Sequence, residues 1–212
     1  MKMQPMNKKL SIIVLGVLTA LAGTSVGYGS IVKLNSGSLG FLKGETQVNV
    51  EYSYEGMRVG KYAREQNYVD KTVADYNTKE PGRGDRWRQA WVNDRASRFQ
   101  PRFEDLLDHY LATGKSSLRF GSFKEAKYTL ILRTTFTDTG YNVFISAKPA
   151  FIDAEAVFVE TQNRANPLAT LTITKSPGRS AGGVGWDTGA RLQESYAKAG
   201  KELGIFISKK VK

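Results

Sequence analysis

The sequence predicts an α+β fold: a single domain in which a mostly antiparallel sheet packs against a long kinked helix and a C-terminal helix. Three observations carry this expectation. Apolar and polar residues alternate from Thr46 to Tyr54, an apolar helical stripe keeps its phase from Val92 to Tyr110 across Pro101, and strand-type runs from Tyr128 onward give way to a second helical stripe after Thr188.

The chain opens on MKMQPMNKKLSIIVLGVLTALAGTSVGYGS, which has the parts of a secretory signal. Lys8 and Lys9 form a basic start, Leu10 to Ala22 is an apolar run, and Ala20-Leu21-Ala22 offers a small-x-small cleavage site. A start at Met6 would serve equally well. An uncleaved anchor is the rival, because no charge falls between Leu10 and Val32 and that length suffices to span a bilayer. The glycines and hydroxyls after Ala22 favour cleavage. Residues 1–30 are thus set apart as signal peptide or N-terminal anchor, and residues 31–212 as one domain long enough to bury a sizeable core.

After a Gly/Ser-rich link around NSGSLG, the strand at Thr46 to Tyr54 places Val48, Val50, Tyr52 and Tyr54 on one side and Asn49, Glu51 and Ser53 on the other. A short helix around Arg64 to Tyr76 would bury Val69, Val73 and Tyr76, and KEPGRGD from Lys79 to Asp85 is a loop by its Pro and Gly content. Asp85 then caps a helix running to Thr113, with Gly114 just past its end. Val92, Ala96, Phe99, Phe103, Leu106, Leu107 and Tyr110 fall within an arc of about 100°, so one helix of ~40 Å, bent at Pro101, is favoured over two. Next come YTLILRTTF, the turn TDTG, YNVFISA, FIDAEAVFVET, the turn NRANP and LATLTITK. Their short turns imply antiparallel neighbours, and alternating Thr170, Thr172 and Thr174 give the sheet a wet face. A last helix from about Thr188 has Leu192, Tyr196, Ala199, Leu203 and Phe206 in phase.

Composition excludes several function classes. There is no cysteine and one histidine, His109, so lipidation at cysteine, disulfides, thiolate chemistry and a two-histidine metal site are absent; no metal and no cofactor is expected. Without Lys2, Lys8 and Lys9 the chain keeps 28 basic against 20 acidic residues, a net +8. For an exported domain that balance points to an envelope protein or an anionic envelope polymer as partner and not to nucleic acid. A membrane is involved only through an uncleaved N-terminal segment.

Trp87, Trp91, Arg95, Arg98 and Arg102 occupy a stripe beside the apolar one on the long helix, with Trp91 and Arg95 related by i,i+4. Such a set is a candidate anion or sugar platform, indole faces stacking on rings while guanidinium forks hold carboxylate or phosphate. The bland account is that the tryptophans cover the sheet edge while the arginines run over them to solvent.

GGVGWDTG from Gly182 to Gly189 precedes the last helix. Its Gly183-x-Gly185-x-x-x-Gly189 spacing misses the dinucleotide fingerprint by one residue and lacks the Gly-Lys-Ser/Thr ending of a P-loop. A dozen residues separate the last helix from the preceding strand, where a dinucleotide fold needs a tight turn. The loop is therefore structural, with Asp187 or Thr188 capping the helix. An anion held by Gly183, Gly185, Thr188 and Gly189 at that helix start is the alternative. Asp105 and His109 form an i,i+4 pair without a nucleophile-elbow serine to complete a triad. Asp153 and Glu155 project from one side of a strand, the arrangement from which a cell-wall carbohydrate hydrolase would have to be built.

The segments AKYTLILRTTFTDTGYNVFISAKPAFIDAEAVFVET, LATLTITKSPGR and DTGARLQESYAKAGKELG resemble exported Bacteroidetes proteins without assigned function. Their sheet-and-helix pattern is similar to that of envelope domains related to the curli-secretion lipoprotein and the TolB N-terminal domain. The resemblance spans about Ala126 to Gly204 and carries no functional residues. It implies an assembly or adaptor module of the cell envelope, and the missing lipidation cysteine sets this chain apart from the lipoprotein members. The expectation is thus a non-catalytic secreted or periplasmic binding protein.

Overall fold

The computed structural model describes residues 31–143, 146–178 and 187–211; the signal-like segment lies outside them. Alternation places the strand β2, Gln47–Ser53, as the sequence predicts: Val48 and Val50 point into the core beside half-buried Tyr52. It joins β1 (Ile31–Gly37), β3 (Arg58–Val59), β4 (Arg119–Gly121), β5 (Tyr128–Asp138), β8 (Ala150–Glu160) and β9 (Ala169–Gly178) in one seven-stranded sheet of order β1-β9-β8-β5-β2-β4, with β3 also beside β5. The pairs β1/β9, β9/β8 and β8/β5 are antiparallel, whereas β2 runs parallel to both β5 and β4, and β3 runs parallel to β5.

Three segments depart from expectation. Residues 31–34, unassigned ahead of the predicted link, and the first three residues of that link form the edge strand β1, because Val32 and Leu34 alternate with Lys33 and Asn35 and pack partly against the core. Arg119–Gly121 is too short to show a pattern, yet adds β4 at the other edge. The described ends of YNVFISA do not enter the main sheet: β6 (Tyr141–Val143) and β7 (Ser146–Lys148) pair with each other between β5 and β8 in sequence. The preceding turn follows its chemistry, since Gly140 takes φ +57° and its N–H donates to Asp138 Oδ1 at 2.9 Å.

Helix α1, Glu65–Lys79, buries Val69 and Val73. The long helix begins at Arg83, two residues inside the predicted loop: α2 (Arg83–Asp94), a π-turn segment (Arg95–Phe99) and α3 (Gln100–Thr113). Asp85 is not its cap. Asn77 of α1 does that work, its Oδ1 accepting the Gly84 N–H at 2.7 Å.

The π-turn sits where Pro101 cannot donate, and the Gln100 N–H bonds to Arg95 O instead. This explains a shift in the buried stripe. At 3.6 residues per turn Trp91 would point about 80° away from Phe99; the wider turn absorbs that offset, so Trp91 is buried in line with Phe99, Phe103, Leu107 and Leu111, while Val92 is 50% exposed. Each of the fully buried side chains among these is worth roughly 1.5–3 kcal/mol of apolar burial.

Helix α4, Thr188–Lys210, buries Leu192, Tyr196, Ala199 and Leu203 as its stripe predicts, with Ile207 rather than Phe206 completing the face. It runs parallel to α3 along a row of small residues, so that Gly200 lies against the Phe103 carbonyl and Gly204 against that of Leu107. The helices cover one face of the sheet. Tyr196 joins the layers, stacking on Phe99 with ring centroids 5.0 Å apart and sharing a 2.7 Å hydrogen bond with Thr134. The opposite face is the predicted wet one, with Lys33, Thr172, Glu155, Arg133 and Ser53 in register across five strands. Among the described residues no helix is long and apolar enough to cross a membrane.

Candidate functional site

The Trp/Arg stripe divides in two because the π-turn rotates its halves apart. On the α2 side Trp91 Nε1 donates to Glu65 Oε1 at 2.5 Å, and Arg95 pairs with the same oxygen. Arg95 also lies 4.1 Å from the centroid of the Tyr54 ring. Trp87 stacks on Trp91 at 5.6 Å and meets Tyr68 and Tyr76 edge-on. Three tethers therefore hold Trp91 and Arg95 inside the seam between α1 and α2. Glu65 organises this seam; its place at the start of α1, fixed by tertiary packing, gives no sign in the sequence.

Arg98 turns toward the start of α4. Its Nη1 contacts Asp187 Oδ2 at 2.5 Å and its Nε contacts Asp94 Oδ1 at 3.1 Å. Burial pushes the Asp94 carboxyl up, helped by the nearby Asp187 charge. Burial opposes ionisation of Asp187 as well, but Arg98 and the Gly189 and Ala190 amides outweigh it and hold that carboxyl below its ordinary value.

Asp187 is the cap the sequence suggests: Oδ1 accepts the Gly189 N–H at 2.8 Å. Thr188 Oγ1 accepts from Arg191 Nη2 at 3.0 Å. The two described members of the glycine-loop anion reading, Thr188 and Gly189, are thus engaged within the protein, with two carboxylates beside them; Gly183 and Gly185 lie outside the described residues.

Arg102 stands apart from the others. Its ion pair with Glu194 is long, Nε to Oε1 at 3.7 Å, and both side chains are about 40% exposed. It lines a cavity of about 230 Å³ between α3 and α4, together with Leu106, Glu194, Lys198, Lys201 and Pro177. Lys198 pairs with Glu202 at 2.6 Å, and Lys201 Nζ lies 4.7 Å from the Tyr110 ring centroid. Parallel packing of α3 and α4 brings these cations together from positions some 95 residues apart in sequence, Arg102 against Lys198.

The acids singled out in the sequence are held by neighbours. Asp153 Oδ1 accepts the Lys175 N–H at 2.6 Å across a bulge between β8 and β9, and Glu155 pairs with Arg133 at 3.3 Å. Asp105 and His109 line a cavity of about 490 Å³ with Glu104, Asp108 and Arg119. Asp108 is fixed there, accepting from Arg119 Nε at 2.6 Å and from the Phe120 N–H at 2.8 Å, which closes the free edge of β4. Tyr52 donates to Glu104 at 2.9 Å. Burial, with the charges of Asp108 and Asp105, raises the Glu104 carboxyl despite that hydrogen bond. Among the described residues no group of three His, Asp or Glu is arranged to hold a metal ion.

No protein-family model matches the chain, and no curated protein does. Among solved structures, a PelC dodecamer from Paraburkholderia phytofirmans aligns with 80% of this chain and 96% of its own, at 13% identity and a TM-score of 0.36. A variant of the same protein in another crystal form gives 13% identity, a TM-score of 0.34, and coverage of 80% and 97%. At such scores the likeness bears on neither activity nor assembly.

Proposed function

We propose that this chain is an exported, non-catalytic binding module of the cell envelope, an adaptor that grips an anionic group of its partner in the groove between α3 and α4. One observation carries the reading. Arg102, Lys198 and Lys201 converge on a cavity of about 230 Å³ with an apolar floor of Leu106 and Pro177, and Arg102 spends only a 3.7 Å contact on Glu194. A guanidinium fork so weakly engaged is free to bind a carboxylate or phosphate two-handed. The signal-like residues 1–30 and the resemblance to envelope domains support the placement outside the cytoplasm.

Of the remaining stripe residues, Trp87, Trp91 and Arg95 fix α1 against α2, and Arg98 ties the start of α4 through Asp187. Co-sedimentation with isolated cell envelopes tests the reading. The native protein is expected to pellet at low salt and to be released as salt screens the groove, whereas the double variant Arg102→Gln, Lys201→Gln stays in the supernatant. Equal pelleting of the variant would end the proposal.

A further inference from the structure

A second cavity adjoins the groove. It measures about 200 Å³ and is lined by Lys148, Pro149, Phe151, Lys175 and Pro177. Pro177 also lines the first cavity, so the two meet at one proline near the end of β9. Their chemistry repeats: each sets an apolar floor, Leu106 with Pro177 in one and Phe151 with Pro149 and Pro177 in the other, beside two or more cations. Five cations stand against four nearby carboxylates: Glu194, Glu202 and Asp138 pair with Arg102, Lys198 and Lys148, and Asp153 accepts the Lys175 N–H.

Of these five cations Lys201 and Lys175 form no ion pair among the described residues; Lys201 lies over the Tyr110 ring, and no such contact engages Lys175. Its backbone adopts φ +50°, a left-handed conformation uncommon for lysine, and its N–H is held by Asp153 at 2.6 Å. Strain of this kind persists only where the surroundings enforce it, and it collects at ligand clamps. Here the bulge that enforces it keeps Lys175 on the wall of the second cavity.

Resting on the adaptor reading, we infer that the two cavities are consecutive subsites for an acidic glycan, a chain of uronic-acid residues that crosses Pro177. Matched volumes and a repeated pairing of cation with apolar floor fit a ligand with one carboxylate per unit. Proline and phenylalanine suit the C–H face of a pyranose ring, while Arg102 and Lys201 in one subsite and Lys175 in the other meet the carboxylates.

Calorimetric titration of the purified protein with a hexauronate, a uronate monomer, a neutral glucose hexamer and polyphosphate tests this. The hexauronate is expected to bind at least tenfold more tightly than the monomer, because the second subsite then engages at high effective concentration. Arg102→Gln and Lys175→Gln should each weaken the hexauronate about fivefold, with unchanged melting temperatures. Monomer binding should respond to one of the two variants only. A monomer as tight as the hexamer, a Lys175→Gln variant that binds normally, or polyphosphate preferred to uronate would overturn the glycan assignment. An anion that still depends on Arg102 would in those cases leave the groove itself standing, whereas loss of every anion response would remove both.

Discussion

Replacing Gly204 with alanine is expected to destabilise the protein although alanine is the better helix former. At an open helix site the exchange would gain about 1 kcal/mol. On α4 the new Cβ would instead stand 2.6 Å from the Leu107 carbonyl oxygen and 3.2 Å from Tyr110 Cβ. Ordinary contact begins at 3.4 Å, so α3 and α4 would have to separate by about 0.8 Å, the difference from 2.6 Å, at that level. Backbone cannot turn aside as a side chain does. Overpacking costs about 1–3 kcal/mol, and with the clash on backbone the upper part of that range applies, leaving a net loss of about 1–2 kcal/mol. For a domain of this size that lowers the melting temperature by about 2–8 °C. Denaturant unfolding and scanning calorimetry read both quantities. Gly200→Ala, which meets the Phe103 carbonyl still more closely, should lose at least as much. A gain of stability in either variant would refute the parallel close packing on which the groove depends.

Further outcomes follow from the same contacts. Glu65→Ala leaves the Trp91 indole N–H and the Arg95 guanidinium without their shared acceptor and should cost about 1–3 kcal/mol in denaturant unfolding; Arg95→Ala in the Glu65→Ala background should then cost little more. Asp187→Ala removes the α4 cap and should cost about 1 kcal/mol. Since the folded Asp187 carboxyl lies below its ordinary value, that stabilisation is present above about pH 4 and fades as pH falls through the lower folded value. Glu104 runs the other way: its folded carboxyl is raised, so the native contribution is retained at acid pH and lost as pH rises through that value. Glu104→Gln should therefore unfold at higher denaturant than the native protein at pH 7, and the difference should shrink toward pH 4. Arg102→Gln, an exposed change, should move stability by less than about 0.5 kcal/mol.

Local pattern made much of this fold readable. The period of two in Thr46 to Tyr54 and the Leu192-Tyr196-Ala199-Leu203 stripe each specify a face, and the structure buries those faces. Asp187 announces a helix start by side-chain chemistry alone, and the capping bond forms. Where partners are distant in sequence, pattern falls silent. Asn77 outcompetes Asp85 as cap because α1 folds back on α2. Trp91 displaces Val92 from the core because a π-turn ahead of Pro101 resets the phase. β4 has only three residues and takes its place from pairing with β2. The candidate site shows the same division: Arg102 stands out in the helical stripe, but Lys198, Lys201 and Pro177 become its neighbours only through the parallel approach of α4 to α3.

Under the proposed function the α3/α4 groove contacts an envelope component. A photoreactive amino acid placed at Leu106, which lines the groove, and separately at Gln89, exposed on α2, tests this contact in living cells. A discrete envelope adduct is expected from position 106, reduced by Lys201→Gln, and none from position 89. Adducts of equal yield from both positions, or none from position 106, would contradict it.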